Sequence, residues 1–319
     1  MMFEQCSLHY SDISSNNTQI LPIISGPLAW RTWSEPTLSN LSVISSPRPM
    51  EQLNITNDET IYLWYRRNIT LKTASARSII RIQMRKANAL LFFLDGQYIS
   101  EFESHNHNQG LLNVTIALDL SQFKINQPYL FEILSVSLGI DNSIYIGDFD
   151  YKGIVGNVTL DDQSLCDDQN NPWQHQKGLV GEYYQIFTEQ GSSKVNWDPA
   201  WTKSINKPVT WFQTTFDLDD HLIRKDTNAN PVLLDADGLT RGHAYVNGND
   251  LGLYWLIQGI CYTKSPLCQQ VQINCLKPMQ RYYHIPSDWL MPKNNILTIF
   301  DELGAPLPGS VGLVQRIVA

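Results

Sequence analysis

The sequence predicts an all-β chain made of two tandem jelly-roll β-sandwiches with a short N-terminal remnant segment. Three observations carry this expectation. Short runs rich in β-branched and aromatic residues recur along the chain, bounded by Gly, Pro, Asn and Asp. No window of about twelve residues or more carries the i, i+3, i+4, i+7 apolar stripe of an amphipathic helix. Three landmarks occur twice in the same order, which marks an internal repeat. The 319 residues suffice for two domains at roughly 100–200 residues each. With 43% apolar and 17% charged residues, the chain has the composition of a folded protein with a core.

Residues 1–47 are rich in Ser and Asn, with Trp30 and Trp33 as isolated anchors. They are short and polar, and read as a linker or the remnant of a small β-domain. Residues 48–165 form the first expected jelly roll. Its strand candidates are Thr60–Tyr65, Ala89–Leu94, Val114–Leu118 and Leu130–Val136. Residues 166–319 form a connector plus the second jelly roll, with a strand candidate at Asn295–Phe300. The stretch 161–207, carrying Trp173, Trp197 and Trp201, leads from one copy to the next.

The repeat rests on three pairs of landmarks, with counterparts about 150–165 residues apart. Tyr62-Leu63-Trp64-Tyr65 matches Val209-Thr210-Trp211-Phe212. Phe93-Leu94-Asp95-Gly96 matches Tyr245-Val246-Asn247-Gly248. Ile133–Gly139 matches Leu297–Gly304. Asp95-Gly96 and Asn247-Gly248 each follow an apolar strand and suit type I′ hairpin tips, since Gly accepts positive φ and Asn or Asp tolerates it. The second copy carries extra residues after its hairpin, where Cys261, Cys268 and Cys275 lie.

The formal net charge is −8 and the pI about 5.3. No Lys/Arg run stands out, so neither a nucleic-acid footprint nor an anionic-membrane surface is expected. No stretch approaches the roughly 20 apolar residues that span a bilayer. Residues Met1–Cys6 lack the basic and apolar regions of a signal peptide. Six Asn-x-Ser/Thr sequons, at Asn16, Asn40, Asn54, Asn68, Asn113 and Asn157, all fall in the first half. Together with the five cysteines, they point to an extracytoplasmic lineage. One way to reconcile these facts is a piece of a longer secreted protein, or an incomplete gene product.

Several groups of residues are chemically able. Cys261, Cys268 and Cys275 lack the paired C-x2-C spacing of a zinc site. His105 and His107 sit two apart in a polar run that reads as an exposed loop. The acidic pairs Glu101/Glu103, Asp235/Asp237 and Asp301/Glu302 read as solvated strand edges and turn residues. No catalytic residue, metal or cofactor is expected. Around one hairpin lie Arg241, Tyr245, Asn247, Asp250, Tyr254 and Trp255. Their rings suit the apolar face of galactose and their polar groups its hydroxyls. The alternative is that large aromatics here, including Trp211, Trp255 and Trp289, fill the core.

Longer motifs carry a resemblance. Pro208–Phe216 (PVTWFQTTF) resembles the P-L-T-W-Y-K-T-x-F segment of plant-type family 35 β-galactosidases. Val232–Gly248 (VLLDADGLTRGHAYVNG) resembles that family's L-D-x-x-x-x-G-K-G-x-A-W-V-N-G. Leu251–Trp255 is similar to I-G-R-Y-W, and Gln280–Leu290 to Q-x-W-Y-H-V-P-R-S-W-L. Glu51–Tyr65 is similar to an upstream E-Q-x-x-x-T-x-D-x-x-D-Y-L-W-Y. The chain departs from the family where G-K-G becomes Thr240-Arg241-Gly242 and I-G-R-Y-W loses its Arg at Leu253.

The resemblance implies the galactose-binding-like β-sandwich region of such an enzyme, without its catalytic barrel. The family's barrel carries two catalytic Glu residues. A retaining glycosidase needs its two carboxyl groups about 5–5.5 Å apart across the scissile bond. Neither the barrel's βαβα alternation nor its Glu motifs occur in this sequence, so the chain alone is expected to be inactive. The function implied is an accessory region that contacts β-galactosides or docks on the missing barrel. The alternatives are a free-standing carbohydrate-binding module, or an enzyme whose barrel lies on another chain. The implied location is extracellular or lysosomal/vacuolar. The family's cysteines in this loop form local bridges, which implies Cys268–Cys275 as the preferred pair.

Overall fold

The computed structural model describes residues 18–24, 28–85, 88–103, 111–139, 151–199, 207–223, 230–258, 277–305 and 310–318. Two strands, β1 (Thr18–Pro22) and β2 (Arg31–Ser34), come first. The chain then divides into two compact units, one spanning Pro36–Tyr183 and the other combining residues up to Glu35 with those from Tyr184 onward. Each is a β-sandwich; the Pro36–Tyr183 unit is called the first.

The first sandwich contains β3 (Ile44–Ser46), the short helix α1 (Gln52–Thr56), β4 (Tyr62–Thr70), β5 (Ser78–Arg85), β6 (Asn88–Leu94), β7 (Gln97–Glu103), β8 (Leu111–Leu118), β9 (Pro128–Ser137), β10 (Ile154–Leu160), β11 (Gln163–Ser164) and β12 (Trp173–Lys177). Six strands form one sheet in the order β3-β12-β4-β9-β6-β7, and four form the other in the order β11-β10-β5-β8. The two sheets bury a common core. β5 supplies Ile80, Ile82 and Met84, β6 supplies Leu90, Phe92 and Leu94, and Trp173 of β12 joins them. The period of two is plain in β5, whose buried residues alternate with more exposed ones. β6 is buried along its whole length and accordingly reads as a continuous apolar run.

The second sandwich repeats this plan. After α2 (Val180–Tyr184) and α3 (Glu189–Ser192) come β13 (Asp198–Pro199), β14 (Thr210–Phe216), β15 (Val232–Asp235), β16 (Arg241–Val246), β17 (Asn249–Trp255), β18 (Tyr282–Ile285), β19 (Asn295–Asp301) and β20 (Gly312–Val318). Its sheets run β13-β2-β14-β19-β16-β17 and β1-β20-β15-β18. β1 pairs with β20 and β2 with β14, placing Trp33 opposite Trp211. The segment that looks like a remnant in the sequence thus contributes two strands to this sandwich, and Trp30 lies in its core.

Strand pairings coincide between the two copies. β4, β9, β6 and β7 lie in the order in which β14, β19, β16 and β17 lie, and β10-β5-β8 corresponds to β20-β15-β18. In each series the chain crosses repeatedly between the two sheets, as in a jelly roll. Trp64 faces Leu134 as Trp211 faces Phe300. Both expected hairpin tips are two-residue turns with positive φ at both positions: 48° and 73° at Asp95-Gly96, 52° and 81° at Asn247-Gly248. That is the type I′ geometry. Each tip is also tied to the neighbouring strand in the same way. Asp95 Oδ1 accepts the Leu130 N–H at 2.7 Å, and Asn247 Oδ1 accepts the Ile296 N–H at 2.7 Å.

One buried histidine makes the first sandwich sensitive to pH. His175 on β12 is 1% exposed. Its Nδ1 lies 2.9 Å from the Ile44 carbonyl and its Nε2 accepts the Met50 N–H at 3.0 Å. This pattern fits only the neutral ring protonated at Nδ1. Burial lowers its pKa, outweighing the Ile44 hydrogen bond. The folded state therefore binds fewer protons than the unfolded state below about pH 6.5, so stability is full above that pH and falls as pH drops. Denaturant midpoints of the first sandwich should decrease between pH 7.5 and 5.5. His175→Phe should flatten that slope; an unchanged slope would show that His175 does not set it.

Candidate functional site

The six candidate rim residues lie around the β16–β17 hairpin. Alternation along β16 points Gly242, Ala244 and Val246 one way and Arg241, His243 and Tyr245 the other. Ala244 and Val246 enter the core. On β17, Trp255 pairs with Arg241, Leu253 with His243, and, across a bulge, Asp250 with Tyr245. One outer face thus gathers Arg241, His243, Tyr245, Asp250 and Trp255. Tyr254 and the turn residue Asn247 lie apart from it.

Most of these side chains are committed to the fold. Arg241 is fully buried and donates from Nε to Glu302 Oε2 at 2.5 Å, with its guanidinium 5.4 Å from the Trp255 ring. Tyr254 is 1% exposed and donates its hydroxyl into a cluster of Phe300 O and Asp301 Oδ2, each 2.9 Å away. Tyr245 is stacked under Phe187, with centroids 4.1 Å apart and planes within 6°. Asn247 donates to Trp289 O at 2.6 Å and to Asn295 Oδ1 at 2.8 Å. Arg241, Tyr245 and Tyr254 are therefore buried framework, and Asn247 holds the turn. Trp211 is core, whereas Trp255 and Trp289 are half-buried.

The segment after Tyr184 covers part of this face. Gln213 donates to Ile186 O at 2.9 Å, and its Oε1 accepts from Ser192 Oγ at 2.8 Å. Arg31 reaches the same Ser192 hydroxyl at 2.7 Å and lies 4.9 Å from the Trp197 ring. Thr188 packs against the hairpin tip at Gly248.

What remains accessible is chiefly Asp250, with His243 and Trp255 only partly exposed along the same hairpin. The Asp250 side chain is 60% exposed, and its Oδ1 lies 2.6 Å from His243 Nε2. The same oxygen accepts the Gly252 N–H at 2.7 Å. Partial burial would raise the Asp250 carboxyl, but His243 and the Gly252 amide together hold it below the usual carboxylate range. His243 is absent from the sequence-based candidates. The alternation of β16 was the signal that could have found it. Phe187 had no such signal, because it belongs to the connecting segment.

The acidic pairs depart from expectation in two places. Asp301 and Glu302 are fully buried, not solvated. Asp301 accepts from Thr240 N and Oγ1, Tyr254 Oη, Leu303 N and Gly304 N. Burial nevertheless raises its carboxyl above the usual range against these donors. Asp235 is also buried and takes a bidentate pair from Arg281 at 2.5 and 2.7 Å, while Asp237 lies 3.4 Å from Arg281. No group of three His, Cys, Asp or Glu side chains suited to a metal occurs among the described residues. His105, His107, Cys261, Cys268, Cys275 and Asn16 lie outside the described residues. Cys166 is buried and free. Asn40, Asn54, Asn68, Asn113 and Asn157 are all exposed.

This hairpin falls inside a recognisable family segment. Residues 209–295 match the family model described as "Beta-galactosidase, galactose-binding domain". Over these residues the chain is similar to the galactose-binding domain of β-galactosidases. Similarity extends beyond that segment. "Beta-galactosidase 8" of Arabidopsis thaliana is 29% identical over 294 residues, covering 86% of this chain and 32% of its own length. "Beta-galactosidase 3" of Oryza sativa subsp. japonica is 26% identical, with coverages of 85% and 32%. "Probable beta-galactosidase 2" of Dictyostelium discoideum is 29% identical, with coverages of 79% and 34%. The chain thus spans about a third of the length of these relatives. The matched segment runs from β14 to the start of β19 and takes in the whole β16–β17 hairpin.

Proposed function

We propose that this chain is the non-catalytic accessory region of a plant-type, family 35 β-galactosidase. It supports a catalytic domain that hydrolyses terminal β-galactosides, in an extracellular or vacuolar setting. The observation that carries this reading is the match of residues 209–295 to the galactose-binding domain in a chain spanning a third of its relatives. The fate of the acidic residues supports it. Asp301 and Glu302 have their oxygens committed to Thr240, Tyr254 and Arg241, and Asp235 is committed to Arg281. Three of these four carboxylates are thus held within the fold, and Asp237 lies 3.4 Å from Arg281. Galactoside contact belongs to the β16–β17 edge, where the accessible Asp250 carboxylate is held by His243 and the half-buried Trp255 lies farther along the same strand. Stacking and charge-assisted hydrogen bonding are what a galactose ring requires.

The purified chain should show no turnover of a chromogenic β-galactoside. Turnover that a substitution within these 319 residues abolished would overturn the reading. Galactose should perturb Trp fluorescence of the chain, and Asp250→Ala should weaken that binding about tenfold, as expected for a charge-assisted hydrogen bond of about 1.5 kcal/mol. Equal binding by wild type and variant would remove this edge from the contact surface.

A further inference from the structure

Two sequons lie side by side in the first sandwich. In Asn113-Val114-Thr115 and Asn157-Val158-Thr159, the middle valine points inward, Val158 into the core and Val114 against it. Asn113, Thr115 and Asn157 are exposed. β5 runs between them and pairs with both. Thr115 and Thr159 both face Arg81. Asn113 faces Gln83, whose Oε1 accepts the Asn157 N–H at 3.1 Å. Both flanking strands are antiparallel to β5, so the sequons run in the same direction. Separated by one strand, they lie about 10 Å apart.

We propose that Asn113 and Asn157 carry a neighbouring pair of N-linked glycans on the outer face of the four-stranded sheet. In the attachment step, the Asn side-chain nitrogen attacks the anomeric carbon of an oligosaccharide borne on a lipid pyrophosphate. The N–C1 bond forms and the C1–O bond to pyrophosphate breaks. The lipid pyrophosphate leaves with that electron pair, and the amide proton passes to a base of the transferase. A product with outward side chains on both strands fits this fold without displacing either valine. The sugars would cover Arg81 and Gln83, and so close this face to a protein partner.

The proposal rests on the export contained in the function proposed above, and not on galactoside contact. A glycosylated chain that binds no galactose leaves it standing. The test supplies export by secreting the full chain from a eukaryotic cell behind a cleavable signal. Enzymatic removal of N-glycans in heavy-oxygen water should then convert both Asn113 and Asn157 to labelled Asp. Thr115→Ala and Thr159→Ala, which keep both asparagines, should each lower the intact mass by one glycan. A secreted chain with either asparagine unlabelled would overturn the proposal.

Discussion

Replacing Glu302 by alanine should destabilise the second sandwich by about 3–5 kcal/mol, the usual result of removing one partner of a buried ion pair. Glu302 and Arg241 are both fully buried and joined at 2.5 Å. The backbone holds them as firmly as the side chains do. Glu302 N–H donates to Arg241 O at 2.8 Å, and Glu302 O accepts Val209 N–H at 3.0 Å. The alanine would leave a guanidinium without its carboxylate in a place that water does not reach. A loss of this size is a large fraction of the 5–15 kcal/mol that holds a typical domain folded. The double substitution Arg241→Met with Glu302→Leu should restore most of the loss, because apolar pairs often replace buried ion pairs at little cost. Denaturant unfolding followed by Trp fluorescence checks both. If the two single losses simply added in the double variant, the residues would not be coupled.

The positions of Asp301 and Glu302 also illustrate where the sequence stops speaking. Asp301-Glu302-Leu303-Gly304 has the composition of a solvated turn. Its burial is decided by Thr240 and Arg241, each 61 residues earlier in the chain. The same holds for Tyr245. Its neighbours Asn247 and Asp250 suggest a polar rim, but Phe187, from the connecting segment, covers its ring. Residues 18–34 look too polar to fold because their partners lie far away; Arg31 meets Gln213 across 182 positions. Local chemistry was readable wherever it sufficed. Asp95-Gly96 and Asn247-Gly248 demand positive φ, and both form the expected turns. The repeat was readable because each copy must close the same hairpin against the same central strand. The hairpin carrying the candidate site was therefore found in the sequence, but which of its side chains reach solvent was not.

Gly242→Ala should severely destabilise the second sandwich. A Cβ at this position would lie 1.8 Å from the Phe300 carbonyl oxygen, 2.9 Å from its carbon and 2.9 Å from Tyr254 Oη. The obstacle is the backbone of β19, so no rotamer relieves it. Gly242 faces Asp301 on one side and Tyr254 on the other. The Tyr254 phenol passes over the glycine to reach Phe300 O and Asp301 Oδ2. Accommodating a methyl group means separating β16 from β19 and displacing that hydroxyl. Overpacking alone costs about 1–3 kcal/mol, and losing hydrogen bonds to a buried carboxylate adds about 1.5–3 kcal/mol. Together these should remove a large fraction of the stability of this unit. Hydrogen exchange should show amides of β14–β20 losing protection while β4–β10 keep theirs. Gly312→Ala is the control. It lies on β20 with nothing within 4 Å of the added carbon, and should shift stability by no more than about 0.5 kcal/mol. If Gly242→Ala matched that control, β16 and β19 would not be packed as closely as the Phe300 contact requires.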